Sequence, residues 1–340
     1  MYRQEKPPIL RQCRKNRRKK NSITCATWRG GITFPELRRS GLFLKKIMSE
    51  ITPLMEWIEH NLHRKITLQE IARKSGYTSR HLYNLFMDYP GVSPSTYIRQ
   101  RKLSLASVML RDTRRPVTEI ALMYGFEHSQ SFTRAFSHYF FQSPLQYRRA
   151  DYWDMSRFYP SPLVKDFSCQ TDIIWLPDTL SVQPETKNTW KINFGLNFLI
   201  ETTEGNIISY PQLYKNCVDL IFRQHLHSPF IVYGELRPGY TSDSEIDIYT
   251  GYISQTKGKE TPRGIIRIPA GYYACFSFNG TPEQIIAFNA WAKGNGMHKN
   301  QFILKKGATF SVFSKTDSQA IYRTQYYIPC IPYNFTARPF

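Results

Sequence analysis

The stretch that decides the fold is TLQEIARKSGYTSRHLYNLF at residues 67–86, and its pattern returns as VTEIALMYGFEHSQSFTRAF at residues 117–136. Each copy has a short apolar segment, a glycine and a longer amphipathic segment, and each closes with Ser-Pro-x-x-Tyr, at 93–97 and 143–147. A short helix, a turn that contains glycine and a second helix form the helix-turn-helix pattern. The sequence therefore predicts two helix-turn-helix units, one after the other.

The second helix of each unit has one apolar face and one polar face. Apolar residues three and four positions apart, such as Leu82 with Leu85 and Phe132 with Phe136, predict the buried faces. The opposite faces carry hydrogen-bonding side chains without acidic charge, as a helix in the major groove of DNA requires. The predicted DNA-binding residues are Arg80, Tyr83, Asn84, Gln130, Ser131, Thr133 and Arg134. The alternative is an ordinary solvated helix face, which more typically carries Glu and Lys.

A connecting helix is predicted between the two units. Ser93 is a plausible N-cap, and Pro94 stands where proline is favoured at the first helical position. A helix from Pro94 to about Leu110 would be roughly 25 Å long. Such a connector could hold two reading helices about 34 Å apart, so that one molecule reads two successive major grooves.

These motifs resemble a known family. SGYTSRHLYNLF, SPSTYIRQRKLSLA, VTEIALMYGFEHSQSFTRAF and SPLQYRR, all within residues 50–150, are similar to the DNA-binding domain of the AraC/XylS family of bacterial transcription regulators. The domain precedes a long second half, which resembles the Rob-type subgroup. The resemblance implies double-stranded DNA and RNA polymerase as partners, and a role as a transcription activator.

Positive charge is concentrated at the start of the chain. The formal net charge is +20. Residues 1–47 hold fourteen Lys and Arg against two acids, residues 48–165 sixteen against ten, and residues 166–340 sixteen against fourteen. Residues 1–47 lack apolar periodicity, so we predict a basic, disordered leader that adds nonspecific phosphate affinity. The alternative is that the leader is not natively made, because Met48 stands just before the first amphipathic helix.

Other features limit the class of protein. No segment approaches the roughly eighteen apolar residues of a membrane span. The six cysteines form no Cys-x-x-Cys pair, which favours the reducing cytoplasm, where the protein would associate with the nucleoid. The histidines show no metal-ligand spacing, and no common hydrolase or nucleotide-binding motif is present. We therefore predict neither catalytic residues nor a metal or cofactor.

The second half changes from helical to alternating periodicity. Residues 190–201, 244–254, 271–280 and 322–329 are predicted strands, and residues 211–223 and 282–293 are predicted helices that begin with proline. The order strand, helix, strand, strand occurs roughly twice. The predicted fold class is thus multidomain, with an all-α double helix-turn-helix domain followed by an antiparallel α+β domain.

This half resembles the GyrI-like effector-binding domain, on the strength of VYGEL at 232–236, IPAGYYACFSFNGTPEQI at 268–285 and YYIPC at 326–330. The resemblance implies an aromatic pocket for an amphipathic small molecule, with Gln325 standing where a glutamate is expected. The candidate effector-binding residues are Trp190, Phe194, Tyr252, Phe276, Trp291, Gln325 and Tyr326. The alternative for each aromatic residue is plain core packing.

The sequence thus predicts four segments: a leader (1–47), a DNA-binding domain (48–150), a linker (151–168) and an effector-binding domain (169–335). The predicted function is a sequence-specific transcription activator that a small molecule modulates through the last segment. We expect residues 48–165 alone to bind the same DNA site as the full chain. The alternatives are a GyrI-like hydrolase fused to a DNA-binding domain, and an architectural protein that binds DNA without sequence preference.

Overall fold

Seven helices precede the sheet in the part of the chain that the structure describes. The computed structural model describes residues 41–193, 199–201, 207–209, 229–239, 243–253, 264–316 and 321–332, so residues 1–40 of the predicted leader lie outside it. The helices are α1 (Gly41–His60), α2 (Leu68–Ser75), α3 (Ser79–Asp88), α4 (Pro94–Asp112), α5 (Val117–Met123), α6 (Ser129–Phe140) and α7 (Pro144–Arg149).

The predicted helix-turn-helix units are α2 with α3 and α5 with α6. The turn glycines, Gly76 and Gly125, have φ values of 73° and 71°, a left-handed conformation that glycine adopts without steric cost. Side-chain oxygens at the helix starts accept hydrogen bonds from backbone N–H groups inside the first turn, as the N-cap rule requires. These caps are Thr67, Thr78, Ser93 and Ser143.

Two hydrophobic cores divide the helical region. The first unit packs its own core from α1, α2, α3 and the start of α4, including Ile51, Phe86 and Tyr97. The second unit belongs to a core that continues into the sheet, where Phe132 and Phe136 share a cluster with residues such as Phe276. Helix α4 passes from one core to the other and is buried on most sides, not along the apolar stripe alone.

The second half is an antiparallel sheet, which confirms the predicted α+β class. Among the described residues, the strand order is β1-β10-β12-β11-β6-β7-β3-β4-β5, with β9 beside β12, β2 beside β9 and β8 beside β3. The strands are β1 (Tyr152–Asp154), β2 (Gln170–Leu176), β3 (Leu180–Asn193), β4 (Leu199–Glu201), β5 (Ile207–Ser209), β6 (Phe230–Pro238), β7 (Ser244–Ile253), β8 (Ile266–Ile268), β9 (Gly271–Gly280), β10 (Ile303–Lys305), β11 (Thr309–Lys315) and β12 (Tyr322–Ile331).

One predicted strand–helix–strand–strand unit is described in full. It consists of β9, helix α8 (Pro282–Trp291), β11 and β12. A π-helical turn, the short helix α9 (Met297–Lys299) and the short strand β10 lie between α8 and β11. Thr281 caps α8 in a capping box with Gln284. The predicted helix at 211–223 lies outside the described residues.

The predicted linker at residues 151–168 contributes to both halves. Its strand β1 pairs antiparallel with β10, so the sheet begins before residue 169. Further along, the backbone N–H of Tyr159 donates to Ser104 Oγ at 2.8 Å, and its carbonyl accepts from Arg101 at 2.6 Å. A free linker would make neither set of contacts. This segment therefore ties α4 to the sheet.

Candidate nucleic-acid interface

Helix α3 presents the first candidate reading face. Arg80, Tyr83 and Asn84 are exposed, whereas Leu82 and Phe86 of the same helix are fully buried. Thr78 orients the helix start by accepting a hydrogen bond from the backbone N–H of residue 81 at 3.2 Å. The N-terminal turns of such helices are the part that reaches base edges. The geometry therefore places the three predicted side chains on one accessible surface.

Helix α6 presents the second candidate face. Gln130, Ser131 and Arg134 are exposed and Thr133 is half-buried. The hydroxyl of Ser131 donates to the carbonyl of His128 at 2.7 Å, so part of its hydrogen-bonding capacity serves the helix start. Its oxygen can still accept a hydrogen bond. The face is accessible along the first half of the helix.

The connector sets the separation of the two units. Helix α4 has 19 residues, which corresponds to about 28 Å of rod. This length approaches one turn of DNA, about 34 Å. Helix α4 is thus slightly longer than the rod of roughly 25 Å that the sequence predicts.

A direct contact between the units fixes their relative position. The turn glycine of the second unit, Gly125, lies so close to the loop after α1 that an added Cβ would stand 2.5 Å from Arg64 C. Lys65 Nζ lies 2.9 Å from Glu127 Oε1 across the same contact. From α4, Lys102 Nζ donates to the carbonyl of Arg64 at 2.6 Å. We call the contact of Arg64 and Lys65 with Gly125 and Glu127 the wedge.

The wedge loop is held in place from the first unit. Arg64 donates to Glu70 at 2.7 Å and to Asn61 at 2.8 Å, and its guanidinium lies 5.4 Å from the centre of the Trp57 ring. The hydrogen bond from Arg64 lowers the pKa of Glu70. Burial and, to a smaller extent, the nearby charge of Arg64 lower the pKa of Lys102 to about 8. Sequence periodicity places none of these charges in the interior.

A buried ion pair holds α1 against α4. Arg101 donates from two nitrogens to the two carboxylate oxygens of Glu59 at 2.8 Å each, and the Tyr97 hydroxyl donates to Glu59 at 2.8 Å. Burial raises the pKa of Tyr97, and the charge of Glu59 adds to this rise. A bidentate pair of this kind is geometrically specific. It fixes the rotation of the connector relative to the first unit.

The second unit is also joined to the sheet by charges. Arg115, just before α5, forms a bidentate ion pair with Asp243, the residue directly before β7, and also bonds Glu119. The Ser244 hydroxyl donates to the carbonyl of Asp112 at the end of α4. This group, which we call the clamp, lies beside the shared hydrophobic core.

A buried charge cluster lies near the clamp. Arg111 donates to both oxygens of Asp112, at 2.9 and 3.2 Å. Burial alone would raise the pKa of Asp112, but the charges of Arg111 and Lys293 overcome this effect and lower it. The shared core and these contacts are at odds with the expectation that residues 48–165 act independently. Truncation would uncover core side chains such as Trp153 and leave Arg115 without Asp243.

The candidate effector-binding residues do not converge on one place. Phe276, Trp291 and Tyr326 lie in the shared core, and Tyr252 packs against a separate cluster around Phe230. Gln325 belongs to the opposite face of β12 from Tyr326, because neighbouring strand residues alternate. Phe194 and the side chain of Trp190 lie outside the described residues.

A second aromatic group lies on the face of Gln325. Tyr327 stacks on Phe310 with ring centres 4.5 Å apart, and Phe310 contacts Tyr273 at 5.5 Å. On the neighbouring strands, Tyr233 and Tyr249 lie 6.0 Å apart. Burial and, to a smaller extent, the charge of Glu235 raise the pKa of Tyr233 to about 12. The period of two along β9, β11 and β12 is the sequence signal that could have grouped these residues.

A metal site and a membrane span are both absent from the part of the chain that the structure describes. That part holds no group of three or more His, Cys, Asp or Glu side chains able to bind a metal ion. Nor does any of its helices combine the length and hydrophobicity that a membrane span needs.

Comparison with known proteins shows which proteins the helical region is similar to. A helix-turn-helix domain family matches residues 71–150. The protein YkgA of Escherichia coli strain K12 is 39% identical over 130 residues, and the match spans 38% of this chain and only about half (53%) of YkgA. Right origin-binding protein of the same strain is 29% identical over 262 residues, which cover 76% of this chain and 87% of that protein.

A third relative consists almost wholly of the matched region. Multiple antibiotic resistance protein MarA of Escherichia coli strain K12 is 36% identical over 108 residues, which are 32% of this chain and 85% of MarA. The motifs, the paired helix-turn-helix units and these matches agree. The chain belongs to the AraC/XylS family of DNA-binding transcription regulators.

Proposed function

We propose that this DNA-binding regulator activates transcription as a monomer that reads two successive major grooves and responds to a small molecule bound by its second half. The observation that carries the proposal is the pair of accessible faces on α3 and α6, held at a set separation by α4 and the wedge. A rigid pair of reading helices gives affinity without a dimer, since the second contact becomes intramolecular once the first has formed.

The two reading helices have different roles in this proposal. On α3, Arg80, Tyr83 and Asn84 read bases, because arginine and asparagine pair bidentately with guanine and adenine edges. On α6, Gln130, Ser131, Thr133 and Arg134 contribute more to phosphate contacts and positioning. Hydroxyl groups and arginine serve phosphate oxygens as readily as they serve bases.

Activation requires contact with RNA polymerase while the protein is bound to DNA in the cytoplasmic nucleoid. This assignment rests on the resemblance in the helical region, and the accessible surface beside the reading helices leaves room for such a contact. Residues 166–340 carry only sixteen Lys and Arg against fourteen acids, so they lack the basic surface expected of a third DNA contact.

The second half is proposed to be a GyrI-like domain that binds an amphipathic effector. The face of Gln325, with Tyr233, Tyr273, Phe310 and Tyr327, supports this proposal because ligand sites combine aromatic walls with few polar groups. Phe276, Trp291 and Tyr326, which the sequence predicts as effector-binding residues, form the alternative wall on the opposite face. We expect Tyr327→Ala to weaken effector binding more than Tyr326→Ala.

An effector changes transcription only if it binds one conformational state better than another. The second helix-turn-helix unit shares its core with the sheet, whereas the first has a core of its own. A change in the sheet would therefore move α6 relative to α3. The proposed response is a change in how well the protein spans two grooves.

Selection from random DNA tests the reading proposal. The full chain should enrich a site with two conserved blocks about one helical turn apart, and hydroxyl-radical footprinting should show protection on one face of the duplex. A single short block, or protection without sequence preference, would contradict reading by both units. Transcription from the selected site, with and without a panel of amphipathic cations and anions, tests activation and the effector.

Two alternatives give different outcomes. A hydrolase in the second half would turn over ester or electrophilic substrates, and its loss should follow mutation of a nucleophile rather than of Tyr327. An architectural protein would bind random DNA nearly as tightly as the selected site. The polar, acid-free faces at matching repeat positions favour sequence-specific reading over this alternative.

A further inference from the structure

Phe141, directly after α6, has a backbone conformation that phenylalanine rarely adopts. Its φ is 57°, in the left-handed region, and its side chain is 70% exposed. The corresponding position of the first unit, two residues before its Ser-Pro pair, is Gly91 with a φ of 90°. Glycine takes this conformation without steric cost, whereas a bulky residue does not. The second unit thus keeps an exposed aromatic side chain where its own repeat has glycine.

The surroundings of Phe141 form a recess rather than a flat surface. The guanidinium of Arg157 lies 3.8 Å from the centre of the Phe141 ring, and Arg157 also donates to the carbonyl of Tyr139 at 3.0 Å. The recess has a volume of about 280 Å³ and is lined by Arg99, Ala135, His138, Tyr139, Phe141 and Arg157. These lining residues include two arginines and a histidine but no acid.

Phe141 lies at the end of the recess that is farther from the reading face, whereas Ala135 and His138 lie close to Arg134 along α6. Phe141 follows Ser131 by ten residues, which places it roughly 15 Å along the axis of α6 from the turn that faces bases. A phenyl ring has neither a hydrogen-bond donor nor a positive charge with which to bind a phosphate oxygen. Arginine beside an exposed aromatic ring is instead the composition of protein–protein contact centres.

We propose that this recess is the surface through which the DNA-bound regulator contacts an acidic segment of RNA polymerase. Arginine binds carboxylates in a bidentate manner, so Arg99 and Arg157 suit Asp or Glu side chains. The recess beside Phe141 has room for one large apolar side chain of the same segment. Strain retained at an exposed residue is a recognised mark of a functional site. This inference rests on the proposed activation of transcription.

The substitution Phe141→Gly gives a clean test, because glycine suits the backbone and already occupies the matching position in the first unit. The full chain, a template with the selected site and purified RNA polymerase holoenzyme are used. We expect Phe141→Gly to keep the melting temperature within about 4 °C of the wild-type value. DNA affinity should stay within about twofold, while activated transcription falls at least about fivefold, a loss equivalent to roughly 1 kcal/mol of contact.

Two further variants sharpen the test. Arg157→Gln should lower activation in the same direction as Phe141→Gly, since it removes the charge beside the ring. Val164→Gly removes another exposed apolar side chain, in the segment before β2, and should activate like the wild type. Fluorescence anisotropy measures the affinity of the polymerase for the DNA-bound protein and provides a second readout. This affinity should fall in parallel with transcription.

Each result decides the proposal. Activation by Phe141→Gly at the wild-type level overturns the recess while leaving the proposed function intact. Weaker DNA binding by Phe141→Gly means that the recess contacts DNA, which also overturns it. A wild-type protein that binds its site but does not raise transcription refutes the proposed activation, and the recess with it.

Discussion

The two turn glycines offer a matched pair of substitutions that tests the wedge. Gly76 and Gly125 stand at the same repeat position with φ values of 73° and 71°. A Cβ at Gly76 meets nothing within 4 Å, whereas a Cβ at Gly125 meets Arg64 C at 2.5 Å and Lys65 N at 2.8 Å. Alanine at both positions therefore carries the same backbone strain but creates a clash only at Gly125.

The expected costs follow from this difference. Left-handed strain costs about 1–2 kcal/mol at either position. At Gly125 the backbone of the wedge loop must also move, and overpacking of this kind adds about 1–3 kcal/mol. Gly125→Ala should therefore lower the free energy of unfolding by about 2–5 kcal/mol, and Gly76→Ala by only about 1–2 kcal/mol.

DNA binding distinguishes a misplaced unit from a merely less stable one. The affinity of each variant is measured below its unfolding transition, on the complete site and on a site with one block scrambled. We expect Gly125→Ala to lose at least about tenfold, or 1.4 kcal/mol, of the advantage of the complete site, and Gly76→Ala to keep it. If both variants retain the wild-type advantage of the complete site, the wedge does not set the spacing of the reading helices.

Three further predictions concern single side chains, and a fourth concerns a pair. Arg80→Ala should cost about 1–3 kcal/mol of binding free energy on the selected site and relax the sequence preference at one or two base pairs. An equal loss of affinity on random DNA would mean that Arg80 contacts only phosphate. Arg134→Ala should weaken binding to all sequences and lower the salt slope by about one, whereas a changed sequence preference at constant slope would contradict this role. Because burial and the charge of Arg64 lower the Lys102 pKa from 10.5 to about 8, the unfolded chain binds more protons between these pH values. Stability relative to Lys102→Met should therefore rise by up to about 3 kcal/mol from pH 8 to 10.5, and a flat difference in urea unfolding would exclude the shift. A double-mutant cycle of Arg115→Ala and Asp243→Ala should give about 1–3 kcal/mol of coupling in stability, and additive effects would mean that the clamp is not formed.

Local patterns in the sequence determined most of the helical region. Helix periodicity, capping residues such as Ser93 and the paired turn glycines act within a few residues, so they could be interpreted without tertiary structure. The same patterns predicted that Arg80 and Asn84 point away from the core, as the structure shows. Alternation likewise predicted the antiparallel second half and its principal strands.

Contacts between distant segments were decided only by the tertiary structure. Lys102 meets Arg64 across 38 residues, and Arg115 meets Asp243 across 128. No local period records such pairings, and a charge on a helix is ordinarily predicted to be solvated. The buried charges of α4 and the core shared by the second unit and the sheet therefore could not be predicted.

The candidate effector-binding residues could also not be grouped completely without the tertiary structure. Composition singled out aromatic residues, and alternation along the strand puts Gln325 and Tyr327 on the face opposite Tyr326, but only strand pairing shows that Phe310 joins them. The role proposed for Phe141 could not be predicted from the sequence either. It rests on a left-handed φ and on the contact with Arg157, which follows α7 in the chain. The sequence determined which segments form and which faces they expose, because these depend on near neighbours along the chain. The packing of those segments decided how the two reading helices are held, since that depends on atoms the chain brings together only on folding.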